Sequence, residues 1–168
     1  MTSERLLITG VNGFLGQYLA RHFMNLGVEV FGLDLQPETS LTLTGYSACD
    51  ITDPEKVKTV VDSVAPSLFA HLSAVSFIPD SYADLRKTID INVSGLVNFL
   101  QSIQKTNPLC RILFVSSADV YGIMQSSDRP VRETDPLDLR SPYATSKASA
   151  ELFCDFFVRQ YGMSIVIA

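Results

Sequence analysis

The sequence predicts an α/β fold of the Rossmann type, a doubly wound parallel sheet with helices on both faces, and three observations predict it. Short, almost continuously apolar strands alternate with helical patterns along the chain, as strands buried on both faces require. The first strand, Leu6-Leu7-Ile8-Thr9, runs into the glycine-punctuated turn Gly10-Val11-Asn12-Gly13-Phe14-Leu15-Gly16 and from there into a helix. The second strand ends in an acid, Asp34.

Strands are expected over 5–9, 28–34, 46–49, 68–72, 112–116 and 164–168, and helices over 14–26, 54–64, 81–105 and 143–161. In the first unit a buried strand must turn sharply into a helix. Gly10 permits a backbone conformation that a Cβ hinders, Gly13 lets the main chain approach a pyrophosphate, and Gly16 lets helix and strand pack closely. The first-turn N–H groups of that helix and the positive end of its dipole then face an anion. An ordinary glycine-rich turn is the alternative. The strand over 28–34 delivers Asp34 to its end, where a carboxylate accepts hydrogen bonds from an adenosine ribose and repels a 2′-phosphate. With no Arg or Lys directly after it, NAD is favoured over NADP; a solvent-facing turn acid is the other reading.

Asp50 and Ile51 follow the third strand, within reach of an adenine edge. Asp53-Pro54 with Glu55 in the first turn is a helix start, with Asp53 as the cap. The fourth strand ends in His71-Leu72-Ser73-Ala74-Val75-Ser76, small residues where backbone passes close to a ligand. His71 reads as a packed, hydrogen-bonded histidine rather than a base, and His22 has no evident partner. Two histidines so far apart give no basis for a metal site. The irregular stretch over 118–142 is expected to lie over the site, because long loops in compact domains are usually functional.

The fifth strand brings Ser116-Ser117-Ala118-Asp119 to the carboxyl edge of the sheet, where ligands bind in such folds. Tyr143 and Lys147 stand one helical turn apart after Ser141-Pro142 and share a helix face. A lysine ammonium there favours the phenolate and makes Tyr143 a general acid/base; a surface pair is the alternative. A strand-end serine can hold a substrate oxygen while Tyr143 moves its proton.

Glycines, strand-end Asp, strand-end Ser and Tyr-x-x-x-Lys, in this order, resemble the extended short-chain dehydrogenase/reductase family, the NAD-dependent epimerase/dehydratase group acting on nucleotide sugars. The resemblance covers the whole chain. It implies that Gly10, Gly13, Phe14, Leu15 and Gly16 hold a pyrophosphate, Asp34 the adenosine ribose, and Asp50 and Ile51 the adenine. It implies further that Leu72, Ser73 and Ala74 line the cofactor cleft, that Asn92 supports the helix behind it, and that Ser117, Tyr143 and Lys147 are catalytic, with Tyr143 and Lys147 also touching the cofactor. Val75, Ser76, Ser117, Ala118 and Asp119 are candidates for contact with the sugar. Sugar dehydratases of this group look like Thr-Asp-Glu or Thr-Ser-Glu where this chain has Ser117-Ala118-Asp119. The stretches over 9–14 and 141–149, with Asp80-Ser81-Tyr82, are similar to reductases of GDP-4-keto-6-deoxy-mannose. A 4-epimerase or 4,6-dehydratase stays open as the alternative, and a non-catalytic NAD-binding regulatory module or an interaction protein as readings of another class.

Composition bounds these readings. At 168 residues, 46% apolar and 18% charged, the chain supports one domain with a two-sided core. A net charge of −5 without a basic run argues against nucleic-acid binding. No apolar run approaches the ~18 residues of a membrane span. Cys49, Cys110 and Cys154 fit reduced core thiols of a cytoplasmic protein. The apolar band Leu152, Phe153, Phe156, Phe157, Val158 and Tyr161 is too wide for one packed face, and its excess is expected to pair in a homodimer through helices 81–105 and 143–161 or to meet further chain. Family members continue well past this length, and the last residues fall inside a predicted buried strand. The chain is thus expected to be one NAD(P)-binding domain over 1–168, the cofactor half of a longer enzyme without most of its substrate lobe, inactive alone.

Overall fold

A computed structural model describes residues 4–122 and 130–168. In chain order the elements are β1 (Arg5–Thr9), α1 (Phe14–Asn25), β2 (Glu29–Asp34), β3 (Gly45–Ala48), α2 (Pro54–Val64), β4 (Leu68–His71), α3 (Ile78–Ala83), α4 (Leu85–Ile89), a π-helical segment (Asp90–Ser94), α5 (Gly95–Thr106), β5 (Arg111–Phe114), a 3-10 turn (Ala118–Tyr121), α6 (Pro142–Tyr161) and β6 (Ser164–Ile167). All strand pairs are parallel, in the order β3-β2-β1-β4-β5-β6. That is the Rossmann order, with its reversal between β1 and β4.

The period of two along β1 divides the core. Leu6 and Ile8 pack with Val11, Ala20 and Val30 on the α1 face, while Leu7 joins Val57, Val61, Phe69, Phe99, Phe114 and Phe157 beneath α2, α5 and α6. Local chemistry starts the helices where the sequence expects. Asp53 Oδ1 accepts the N–H groups of Glu55 and Lys56 at 3.1 Å, and Ser141 Oγ accepts that of Ala144 at 3.0 Å. Cys49, Cys110 and Cys154 are buried and free. Among the described residues no helix is long and apolar enough to cross a membrane.

Two expectations are corrected. The single helix over 81–105 is three helices and a π segment. Asp84, at φ −142° and ψ 85°, leaves helical space and caps α4 by accepting the Lys87 N–H at 2.9 Å. The π segment then sets Asn92 inward, 1% exposed. The strand over 164–168 is not buried: β6 pairs only with β5 at the sheet edge, and Val166 and Ile167 are 61% and 42% exposed. Of the loop expected over the site, residues 123–129 lie outside the described residues.

Candidate active site

At the end of β1, Gly10 takes φ +68° and its N–H donates to Leu33 O at 2.8 Å. A Cβ on Gly10 would lie 3.0 Å from Ser73 N, and one on Gly16 would lie 2.3 Å from Gly10 O and 2.7 Å from Val11 Cα. Both positions therefore demand glycine, one by dihedral angle and one by space. Gly13 caps α1 with no side chain, and no acid stands in the first turn, so the helix start keeps its positive character for an anion.

This turn forms one wall of a cleft of about 920 Å³ at the strand-order reversal. The cleft brings together every residue the sequence assigns to a cofactor through contacts at the sheet edge: Gly10, Gly13, Phe14, Leu15 and Gly16 at the turn, Asp34 at the end of β2, Asp50 and Ile51 after β3, and Leu72, Ser73 and Ala74 after β4. Ser76 lines it as well. Sequence reasoning missed the remaining wall, Asp84, Arg86, Lys87, Asp90 and Ile91, because it treated that stretch as uninterrupted helix. Asp84 ahead of Lys87 was the available cue, since an acid suits a helix cap.

Asp34 makes no ion pair among the described residues; its carboxylate accepts the Asn12 N–H at 3.1 Å and the Gln36 N–H at 3.4 Å. Asn12, also in the cleft and also missed, donates from its side chain to Glu38 O at 3.0 Å and Tyr46 Oη at 3.2 Å. It thereby ties the glycine turn to the loop after β2. Asp50 Oδ1 is engaged by the N–H and hydroxyl of Thr52, at 2.9 and 2.7 Å.

Val75, Ser117, Ala118, Asp119, Tyr143 and Lys147 do not line this cleft. Val75 follows β4 beside the cleft, and the others gather one strand further on, at the carboxyl end of β5. Ser116 binds Glu151 on α6, whereas Ser117 Oγ accepts the Asp119 N–H at 3.2 Å at the start of the 3-10 turn. Ala118 and Asp119 are exposed there. Tyr143 and Lys147 are buried on the inner face of α6, 8% and 4% exposed. The sequence expects the ammonium beside the phenol. Lys147 Nζ donates to Val115 O at 2.7 Å and stands 4.9 Å above the Phe114 ring; no hydrogen bond joins it to Tyr143 among the described residues. Burial lowers the Lys147 ammonium from 10.5 to about 8, partly opposed by Cys154 and Glu151.

Asn92 joins the two clusters. Its Oδ1 accepts the Val75 N–H at 2.8 Å, and its Nδ2 donates to Val75 O at 3.1 Å and Ser146 Oγ at 2.9 Å. Val75 is thus clamped by its backbone. His71 is packed as expected, 1% exposed, with Nδ1 3.1 Å from Thr9 Oγ1 and its pKa pushed by burial down to about 3.

A family model described as GDP-mannose 4,6 dehydratase matches residues 7–168. The chain belongs to that family. Curated relatives of this GDP-mannose 4,6 dehydratase family member include a GDP-6-deoxy-D-mannose reductase from Pseudomonas aeruginosa, 28% identical over 90% of the chain and 46% of the relative. Another is a probable dTDP-glucose 4,6-dehydratase from Sinorhizobium fredii, 28% identical over 98% of the chain and 52% of the relative. The chain spans about half the length of the curated relatives it matches. Among solved structures, the Thermus thermophilus UDP-glucose 4-epimerase complex with NAD aligns with a TM-score of 0.89 at 26% identity, over 97% of this chain and 53% of that one. The Streptomyces venezuelae dTDP-glucose 4,6-dehydratase with NAD and TYD bound aligns with a TM-score of 0.85 at 28% identity, over 97% and 54%.

Proposed function

We propose that residues 1–168 form the NAD-binding domain of a nucleotide-sugar oxidoreductase that transfers hydride at sugar C4, reducing a 4-keto-6-deoxy sugar of the GDP-mannose type. The observation that carries this reading is the cleft at the β1/β4 reversal, where a glycine turn, an acid without an ion pair among the described residues and an open helix start meet. Those features fit a dinucleotide: the Gly10 and Gly16 cradle leaves room for a pyrophosphate, the α1 start receives its charge, and Asp34 accepts ribose hydroxyls. With no cation paired to Asp34 among the described residues, NAD is preferred to NADP, whose 2′-phosphate would meet a carboxylate.

Held in this cleft, the reduced cofactor would supply the hydride to the 4-keto carbon. The chain's own residues handle the oxygen and its proton. Ser117 holds the substrate oxygen, Tyr143 gives or takes the proton, and Lys147, charged below about pH 8, sets a positive charge on the same helix face. Val75, Ser76, Ala118 and Asp119 stand on the sugar side. A dehydratase is the second reading, favoured by the family match; against it, the glutamate that ends both dehydratase trios is the shorter Asp119 here, and Ala118 adds no acid beside it. A 4-epimerase uses the same hydride step and is separated by product.

The exposed apolar face of α6, Leu152, Phe153 and Phe156, is proposed to meet a second copy, and light scattering tests it. Three buried free thiols suit the reducing cytoplasm, and the acidic balance suits no nucleic-acid partner.

Calorimetric titration with NAD and NADP tests the cofactor. Incubating the longer enzyme with GDP-4-keto-6-deoxy-mannose and reduced cofactor, and separately with GDP-mannose and NAD, tests the reaction. Turnover of only the second substrate would replace reductase by dehydratase.

A further inference from the structure

His71 is a buried imidazole that the proposed chemistry leaves unused. Its ring lies among Phe69, Phe99 and Phe114 and reaches the cleft through Thr9. The Thr9 hydroxyl oxygen accepts the N–H groups of Leu72 at 3.1 Å and Ser73 at 3.2 Å, which occupies both of its lone pairs. Its single hydrogen therefore goes to His71 Nδ1, 3.1 Å away. The ring proton then belongs on Nε2, a buried atom with no hydrogen-bond partner among the described residues. A ring protonated on Nδ1 would present a second donor to Thr9, and the hydroxyl oxygen would have to release an amide to receive it.

Those two amides matter to the cleft. Leu72 and Ser73 line it, and Ser73 N would lie 3.0 Å from a Cβ on Gly10, so the turn after β4 and the glycine turn abut. A small displacement of one changes the slot between them. We propose that His71 is a positioning residue for this slot: as the Nε2–H tautomer it takes the Thr9 hydroxyl hydrogen, which leaves both Thr9 lone pairs to hold the Leu72 and Ser73 amides beside Gly10 at the spacing a dinucleotide fills. This rests on the reading of the cleft as a dinucleotide site.

The tautomer is read on the wild-type chain, without ligand, by long-range ¹⁵N–¹H correlation of labelled histidine at neutral pH. A pyridine-type Nδ1 with a protonated Nε2 is expected, and a protonated Nδ1 overturns the proposal. Calorimetry with NAD then compares His71→Asn, whose amide oxygen can still accept from Thr9, with His71→Phe, which keeps a ring among the phenylalanines and accepts nothing. His71→Asn is expected within about threefold of wild-type affinity and His71→Phe about tenfold weaker or more, the scale of one misplaced polar contact. Equal affinities in the two folded variants overturn the proposal, because a merely structural ring would alter melting and not binding. Should His71→Phe fail to fold, His71→Leu makes the same comparison. A wild-type chain with the Nε2–H tautomer that takes up no NAD overturns the cofactor reading while the Thr9–His71 pair stands.

Discussion

Replacing Lys147 by methionine should make the chain more stable at neutral pH. The ammonium is 4% exposed, and burial lowers its pKa from 10.5 to about 8. That drop, at roughly 1.4 kcal/mol per pH unit, corresponds to about 3 kcal/mol that the folded state forfeits while the group is charged. The sign follows from proton linkage. Below about pH 8 both states carry the proton and the full penalty applies; between about 8 and 10.5 the unfolded chain holds a proton that the folded chain has released, so wild-type stability rises with pH. Methionine removes the penalty and also the bond to Val115 O, whose loss costs about 1 kcal/mol. Lys147→Met should therefore gain about 2 kcal/mol at pH 7, or about 4–8 °C in melting temperature for a domain of this size. By pH 10 the two chains should melt nearly together. Thermal unfolding followed by circular dichroism from pH 7 to 10 measures both quantities. A variant that melts below wild type at pH 7, or an offset independent of pH, refutes the argument. A lysine retained at such a penalty is expected to be needed for chemistry, and the same variant in the longer enzyme should lose turnover.

Asp34→Ala should weaken NAD binding about tenfold, the worth of one or two ribose hydrogen bonds, as read by calorimetry. Unchanged NAD affinity would remove Asp34 from the ribose. Gly16→Ala places a Cβ 2.3 Å from Gly10 O, so the turn must shift; a loss of about 1–3 kcal/mol in urea unfolding, with NAD binding abolished, is expected. Asn92→Leu removes the partners of the half-buried Val75 N–H and C=O, and a loss of about 1–3 kcal/mol should appear in urea unfolding. Tyr143→Phe should lower turnover of the longer enzyme by about 10²–10⁴ while NAD affinity stays within about twofold, the pattern of a lost general acid.

Much of the fold was legible because its causes are local. The glycine turn is written in the residues that make it, since a dihedral angle and a helix-to-strand approach reject a Cβ wherever the turn occurs. Asp53 and Ser141 announce helix starts through bonds to amides two or three positions away. Apolar strands separated by helical patterns leave few topologies besides a parallel sheet. The cleft-lining residues at the sheet edge followed, because each sits at or just after the end of a strand that the alternation had already placed.

Tertiary structure decided what depends on distant partners. Helical periodicity persists on both sides of Asp84 and outweighs the one local cue, the acid itself, so that only the fold shows the chain breaking there and residues 84–91 becoming a cleft wall. Lys147 shares a helix face with Tyr143 by spacing, but the acceptor its ammonium finds, Val115 O just past β5, lies 32 residues away in sequence. The edge strand β6 reads as core because its residues are apolar, and exposure is set by what packs over it. The Thr9 hydroxyl, bonded to His71 on β4 and to the turn beyond, belongs to the same class: hydrogen bonds across a sheet join residues that no local pattern connects.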